Sequence, residues 1–218
     1  MDQTAARRGG VHRRRGAARS VVVAVVCGLI AGGITAIAQG MPPAWLSSLA
    51  NSSGSWTLPA FLLALPAPTA VSGAACGSGA LLSMLTGYVL TDLLRGYPAS
   101  TGLMVFWSAA ALIAGPLLGV GAQWLRRRAG TRAALGLSAL CGVLIGEAGY
   151  GLLVISQSTS PVYWWGQGLI GVLLLAAGAG WKLRGVGALV QAVLFTAAAA
   201  MVFVVLSTHG PALMLLVP

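Results

Sequence analysis

The chain has 218 residues, 57% of them hydrophobic and only 7% charged. Soluble domains carry about 25% charged residues, so this composition excludes a water-facing surface and leaves no room for a separate soluble domain. The formal net charge of +10 is bunched between apolar runs. That is the pattern of a polytopic membrane protein with positive-inside loops rather than of a nucleic-acid binder.

The basic N-terminal segment holds Arg7, Arg8, Arg13, Arg14, Arg15 and Arg19. Residues 1–19 read as a disordered cytoplasmic tail, drawn to anionic lipid headgroups, and 20–218 as one transmembrane domain. The first span is 20–38. Its end, Ala36-Ile37-Ala38, looks like a signal-peptidase site, but an apolar run of about nineteen residues exceeds the usual h-region of about 7–15. It reads as an uncleaved span. Ala24, Gly28, Gly32 and Ala36 repeat at i, i+4 and form one flat stripe. Such stripes let helix backbones approach closely. The first reading is packing within the bundle; the alternative is a docking face for another membrane subunit.

Residues 41–95 are broken by Pro42, Pro43, Pro59, Pro66 and Pro68. Parity resolves them. The N-terminal arginines and the cluster Arg126, Arg127, Arg128 and Arg132 should lie on the same side, so an even number of crossings separates them. Segments 20–38 and 102–125 supply two, and 41–95 supplies two more: Ser48–Leu65 and Thr69–Leu94, turning at Pro66-Ala67-Pro68. The stretch 48–65 is short enough to be partly re-entrant. With 133–155, 163–181 and 186–207 the sequence predicts an all-α bundle of about seven spans, N-terminus inside and C-terminus outside. In the fourth span Pro116 predicts a kink. Of the basic residues only Arg95 then falls outside.

The fifth span carries Glu147, one of three acidic residues in the chain. It sits roughly 21 Å along a core of about 30 Å, still in the apolar zone. A carboxylate there is costly and normally faces a partner inside the bundle. Tyr88, Asp92 and Arg95 end the third span and share a face. Trp107, Tyr150 and Gln167 fall at the same level, near Asn51 and Trp56. These groups predict a polar pocket open to the outside, made by Glu147, Tyr150, Asp92, Arg95, Tyr88, Trp107 and Gln167. Arg95, the one outer cation, is the natural partner for Asp92 or Glu147. The competing readings are an Asp92–Arg95 pair near water, a packing role for Glu147, and an interfacial aromatic belt for Trp56, Trp164 and Trp165.

Catalytic and metal chemistry are poorly supplied. Two histidines, His12 and His209, and three scattered cysteines, Cys27, Cys76 and Cys141, make no metal cluster and no disulfide framework; the thiols read as buried and inert. "CGSG" at 76–79 is similar to the G-x-S-G of intramembrane serine proteases, but Cys76 replaces the first glycine and no histidine lies nearby in sequence. No cofactor fingerprint is present, so an enzyme is not expected.

"LANSSGSW" at 49–56, "FWSAAALIAGPLLGVGAQWLR" at 106–126 and "GEAGYGL" at 146–152 together resemble a family of small multi-pass membrane proteins from high-GC bacteria, classed as a domain of unknown function. The resemblance covers most of 20–207. It implies an integral membrane protein of the cell envelope and supplies no activity and no site residues. In size and pocket position the chain is also similar to the substrate-binding subunits of energy-coupling-factor transporters, which have six spans. The expectation is a small-solute binding or transport subunit of the bacterial cytoplasmic membrane, its ligand unidentified. The alternative is a non-enzymatic structural or assembly subunit of a membrane complex.

Overall fold

A computed structural model describes residues 3–214, and every regular element among them is a helix. α1 (Gln3–Ala38) runs through the Arg-rich segment and the first apolar run without interruption. α2 (Ala44–Ala50) and α3 (Ser53–Ala64) are short. α4 (Ala70–Leu94), α5 (Thr101–Arg127), α6 (Thr131–Leu153), α7 (Pro161–Lys182) and α8 (Val186–Met214) are long. Six helices, α1 and α4 to α8, are long and apolar enough to cross a membrane. The protein is a polytopic helical bundle.

Local chemistry sets the boundaries. Ser52 starts α3, its side chain accepting from the Gly54 N–H. Thr69 and Ser72 form a reciprocal capping box at the start of α4, immediately after the Pro66–Pro68 turn, which satisfies two otherwise orphan donors. Ser100 caps α5, and α7 opens on Pro161, where a missing N–H costs nothing. α5 continues past Pro116 as one helix.

The stretch expected as a single crossing from Ser48 to Leu65 is instead two helices with a break at Asn51 and Ser52. At 1.5 Å per residue α3 reaches only about 18 Å, well short of the core thickness. Hydrogen bonds show where it runs. Gln39, just past α1, bonds Asn51, and Arg95, just past α4, bonds the Ala36 carbonyl, so these ends lie together. The opposite end of α3 meets Arg126 and Arg127 at the close of α5, and Lys182 bonds the Arg126 carbonyl. The broken pair thus carries the chain from one end of the bundle to the other. The six long helices and this pair make seven passages, and the Arg126–Arg128 and Lys182 groups share one end.

α4 packs between α1 and α5, α6 packs on α5, α7 and α8, and α3 is lodged against α4, α5 and α6. The core is built from small side chains and glycines: Ala24, Ala60, Ala64, Cys76, Ala80 and Ala122 are fully buried. With little hydrophobic drive between helices in lipid, close backbone contact and dispersion hold such a bundle. The outward faces are apolar. Ile30 and Ile34 on α1, Ile113 and Leu117 on α5, Leu169 and Leu173 on α7, and Leu194 and Met201 on α8 are all exposed. An exposed apolar surface of that extent belongs in a bilayer.

The Ala24, Gly28, Gly32 and Ala36 stripe is buried against α4. A Cβ on Gly28 would lie 2.0 Å from the Ser83 hydroxyl, and one on Gly32 would lie 1.9 Å from the Met84 carbonyl oxygen. The stripe is therefore covered by the protein's own helix and offers no face to a partner. Of the thiols, Cys76 and Cys141 are buried, whereas Cys27 is exposed on α1, outside the small-residue stripe.

Candidate functional site

Glu147 lies on the inner face of α6 and is buried. Its carboxylate closes the N-terminus of α3. One oxygen, Oε1, accepts from the Ser53 N–H at 2.6 Å. The other, Oε2, accepts from the Gly54 N–H at 2.6 Å, the Ser52 hydroxyl at 2.6 Å and Gln167 Nε2 at 2.9 Å. The first N–H groups of any helix lack intrahelical partners, and leaving them bare in hydrocarbon costs several kcal/mol each. They also carry the positive end of the helix dipole. The groups facing Glu147 are all donors, which suits an acceptor-only carboxylate.

Gln167 and Tyr163, on α7, complete the cluster. Gln167 Oε1 accepts from the Tyr163 hydroxyl at 2.5 Å and lies 2.8 Å from the Ser52 hydroxyl. Ser52 has one proton to give, and the carboxylate is the nearer and stronger acceptor. Glycine permits the fit at Gly54, where a Cβ would stand 2.8 Å from Gln167 Cδ. Trp164 packs over Gly151, whose Cβ would strike the indole at 2.2 Å, and its Nε1 donates to the Thr159 hydroxyl at 2.8 Å. Trp164 is therefore a core residue, whereas its neighbour Trp165 is exposed. The aromatic-belt reading fails for Trp164, because a glycine one helix away opens a slot for the ring.

The other end of α3 is closed with the opposite polarity. Gln123 Nε2 donates to the Ala64 and Leu65 carbonyls at 2.6 and 3.1 Å. Arg126 donates to the Leu65 carbonyl at 2.6 Å and Arg127 to the Ala67 carbonyl at 3.0 Å. Arg127 also holds Gln123 through its Oε1 at 2.8 Å. A carboxylate thus sits at the positive end of the short helix and guanidinium groups at the negative end. Replacing Gln123 by Leu should lower stability by about 1–3 kcal/mol, because the buried Ala64 carbonyl loses its side-chain donor. A thermal transition in detergent reads this directly, and an unchanged midpoint would remove Gln123 from the scheme.

The residues expected in one pocket fall into separate groups. Glu147 and Gln167 share the α3 cap. Tyr88 belongs to a second network: its hydroxyl donates to Gln39 Oε1 at 2.7 Å, and Gln39 Nε2 donates to Asn51 Oδ1 at 2.7 Å. The Trp56 and Tyr88 rings lie 6.1 Å apart. Asp92 and Arg95 pair at 3.7 Å, and Arg95 is otherwise spent on the Ala36 carbonyl; its guanidinium does not bond Glu147. Trp107 is exposed beside Phe106. Tyr150 is half-buried and joins neither network among the described residues. Asn51 and Ser52, adjacent at the break, connect the two networks, one facing α1 and α4, the other α6 and α7. Beside them a cleft of about 210 Å³ is lined by Ala44, Ser47, Ser48, Asn51, Ser158, Thr159 and Trp164. Glu147 does not line it.

Ser52, Ser53, Gly54, Tyr163, Gln39 and Gln123 carry this arrangement, and sequence patterning singled out none of them. Two of the three quoted stretches meet at Glu147 with Ser52, and the third reaches the far end of α3 through Gln123. The model of a Family of unknown function (DUF6518) matches residues 11–210. The chain belongs to this family. No curated protein and no solved structure matches it. In this DUF6518 protein the capped short helix lies where α4, α5 and α6 converge. Among the described residues no group of histidine, cysteine or acidic side chains could hold a metal ion.

Proposed function

We propose that this DUF6518 protein is a non-enzymatic component for binding or moving a small solute across the cell membrane, its site being the cleft beside the α2–α3 break. The observation that carries this is the break itself, an interruption of backbone near the end of the bundle with Asn51 exposed and Ser52 buried, next to a polar cleft. Interrupted helices are tolerated at membrane depth where they are buried in protein or line a cavity, and in transporters they form the substrate site. The cleft is lined by serine and threonine hydroxyls, an asparagine amide, an indole edge and Ala44, with no charged side chain among the seven. The hydroxyl protons and the indole N–H are engaged within the chain, so the oxygens are left to accept from a solute. Such a lining suits a small uncharged solute bearing hydroxyl or amide groups. The end rich in arginine and lysine is placed in the cytoplasm by the positive-inside rule, which opens the cleft to the outside.

The test is a thermal-shift panel of small polyols and amides on the purified protein, repeated with Ser158→Trp. Ser158 is exposed, and its hydroxyl bonds only the nearby Ile155 carbonyl, so the new ring fills the cleft and leaves the Glu147 cluster untouched. A solute of this class should raise the transition of the native protein and not of the variant. If every solute leaves both unmoved, or moves both equally, the cleft is not the site.

One observation favours a second reading. Each oxygen of Glu147 is satisfied within the chain, as in a group that only fixes packing. A structural or assembly subunit would show partners in stoichiometric amount after mild-detergent purification and no solute response.

A further inference from the structure

A second concavity lies at the other end of the bundle, between α1 and α4. It is an open groove of about 510 Å³, formed by Ala17, Ala18, Val21 and Val22 on α1 against Val71 and Ala75 on α4. Thr69 and Ser72 also reach it, but their hydroxyls are consumed in the α4 capping box. The groove wall therefore asks for an apolar occupant. Val22 and Val71 are strongly exposed.

The mouth of the groove is basic. Arg14 lies one turn before Ala17 and Ala18 on the same face of α1, and Arg15 and Arg19 flank that face by helical spacing. Arg14, Arg15 and Arg19 are all exposed. Among the described residues the one salt bridge is between Arg95 and Asp92, at the opposite end. Helical side chains lean toward the helix N-terminus, so Arg14 reaches away from the apolar groove toward the level where headgroups lie.

From this juxtaposition of an apolar groove and uncompensated arginines one turn beyond it, we infer that the α1–α4 groove seats an anionic phospholipid, one acyl chain along Val21, Val22 and Val71 and its phosphate on Arg14 and Arg15. Arginine suits this phosphate because its planar fork donates two parallel hydrogen bonds. The charge selects an anionic headgroup over a zwitterionic one, and the groove distinguishes a seated lipid from a diffuse ion cloud. Because α1 and α4 also pack through Gly28 and Gly32, the lipid would extend that seam at its basic end.

Native mass spectrometry of the full-length protein, titrated with phosphatidylglycerol against phosphatidylcholine, tests the inference. Two variants carry it: the Arg14→Gln, Arg15→Gln double variant, and Ala75→Trp, which fills the groove without changing charge. The reference is Arg128→Gln with Arg184→Gln, both exposed at the same end, with an equal change in net charge. The expected result is a first bound phosphatidylglycerol that weakens about tenfold or more in both test variants and is unchanged in the reference. Equal losses in test and reference double variants would mean delocalised attraction and overturn the proposal. So would a loss in the arginine variant with full binding in Ala75→Trp, because the chain would then have no seat. A thermal transition in lipid-free detergent confirms that each variant is folded before titration.

Discussion

Glu147→Gln should lower the thermal midpoint by roughly 10 °C, even with no ligand present. The carboxylate accepts from two backbone N–H groups, a hydroxyl and an amide. A glutamine has one acceptor oxygen and must turn its NH2 toward at least one of those donors. It therefore loses a charge-assisted bond and adds a donor–donor conflict, a cost of about 3 kcal/mol. A chain of this size shifts about 2–4 °C per kcal/mol. Glu147→Asp keeps the charge but draws it back by one methylene, so its midpoint should fall between the two. Scanning fluorimetry in one fixed detergent compares all three. A Gln variant as stable as the native protein would show that the α3 terminus does not depend on the carboxylate. If that variant kept its stability but lost a solute response, Glu147 would be a ligand contact and not a helix cap.

The sequence made Glu147 conspicuous because a carboxylate in an apolar run has few explanations. It also separated the long helices correctly, since a span of about twenty apolar residues between charged or Pro-bearing turns leaves little freedom in where helices end. The partner of Glu147 was not legible. Arg95 was expected because it is the one cation near that level, but the positive charge Glu147 finds is a helix N-terminus. That charge arises from aligned peptide groups and has no residue type to announce it. The signal available was the N-cap pattern in "LANSSGSW": Ser52 before a short helix, preceded by Asn51, which ends the helix before it. Reading 48–65 as one span hid the terminus that needed a carboxylate. Trp164 escaped for a related reason. Its slot is made by Gly151 on α6, and a missing side chain on another helix leaves no mark beside the tryptophan.

The same substitution should be destabilising at two glycines, Gly77 and Gly119, and harmless at a third, Gly149. Gly77 and Gly119 lie on the α4–α5 seam. A Cβ on Gly77 would stand 2.1 Å from the Gly115 carbonyl oxygen, and one on Gly119 would stand 2.0 Å from that of Gly73. Both obstacles are backbone, so neither can rotate aside; the helices must separate along the seam. Gly77→Ala or Gly119→Ala should therefore destabilise by about 3 kcal/mol or more, at the upper end of overpacking costs. The loss propagates, because α3 rests on α4 and α5 and Gln123 closes α3 from α5. Gly149, on α6 two residues from Glu147 and on the opposite face, has nothing within 4 Å of its would-be Cβ. There the alanine gains helix propensity of up to about 1 kcal/mol without a clash, and Gly149→Ala should leave the midpoint equal or higher. Size-exclusion profile and thermal midpoint read all three variants together. If Gly77→Ala and Gly119→Ala are as stable as Gly149→Ala, the α4–α5 contact is looser than described, and the seating of α3 between its two caps would have to be looser with it.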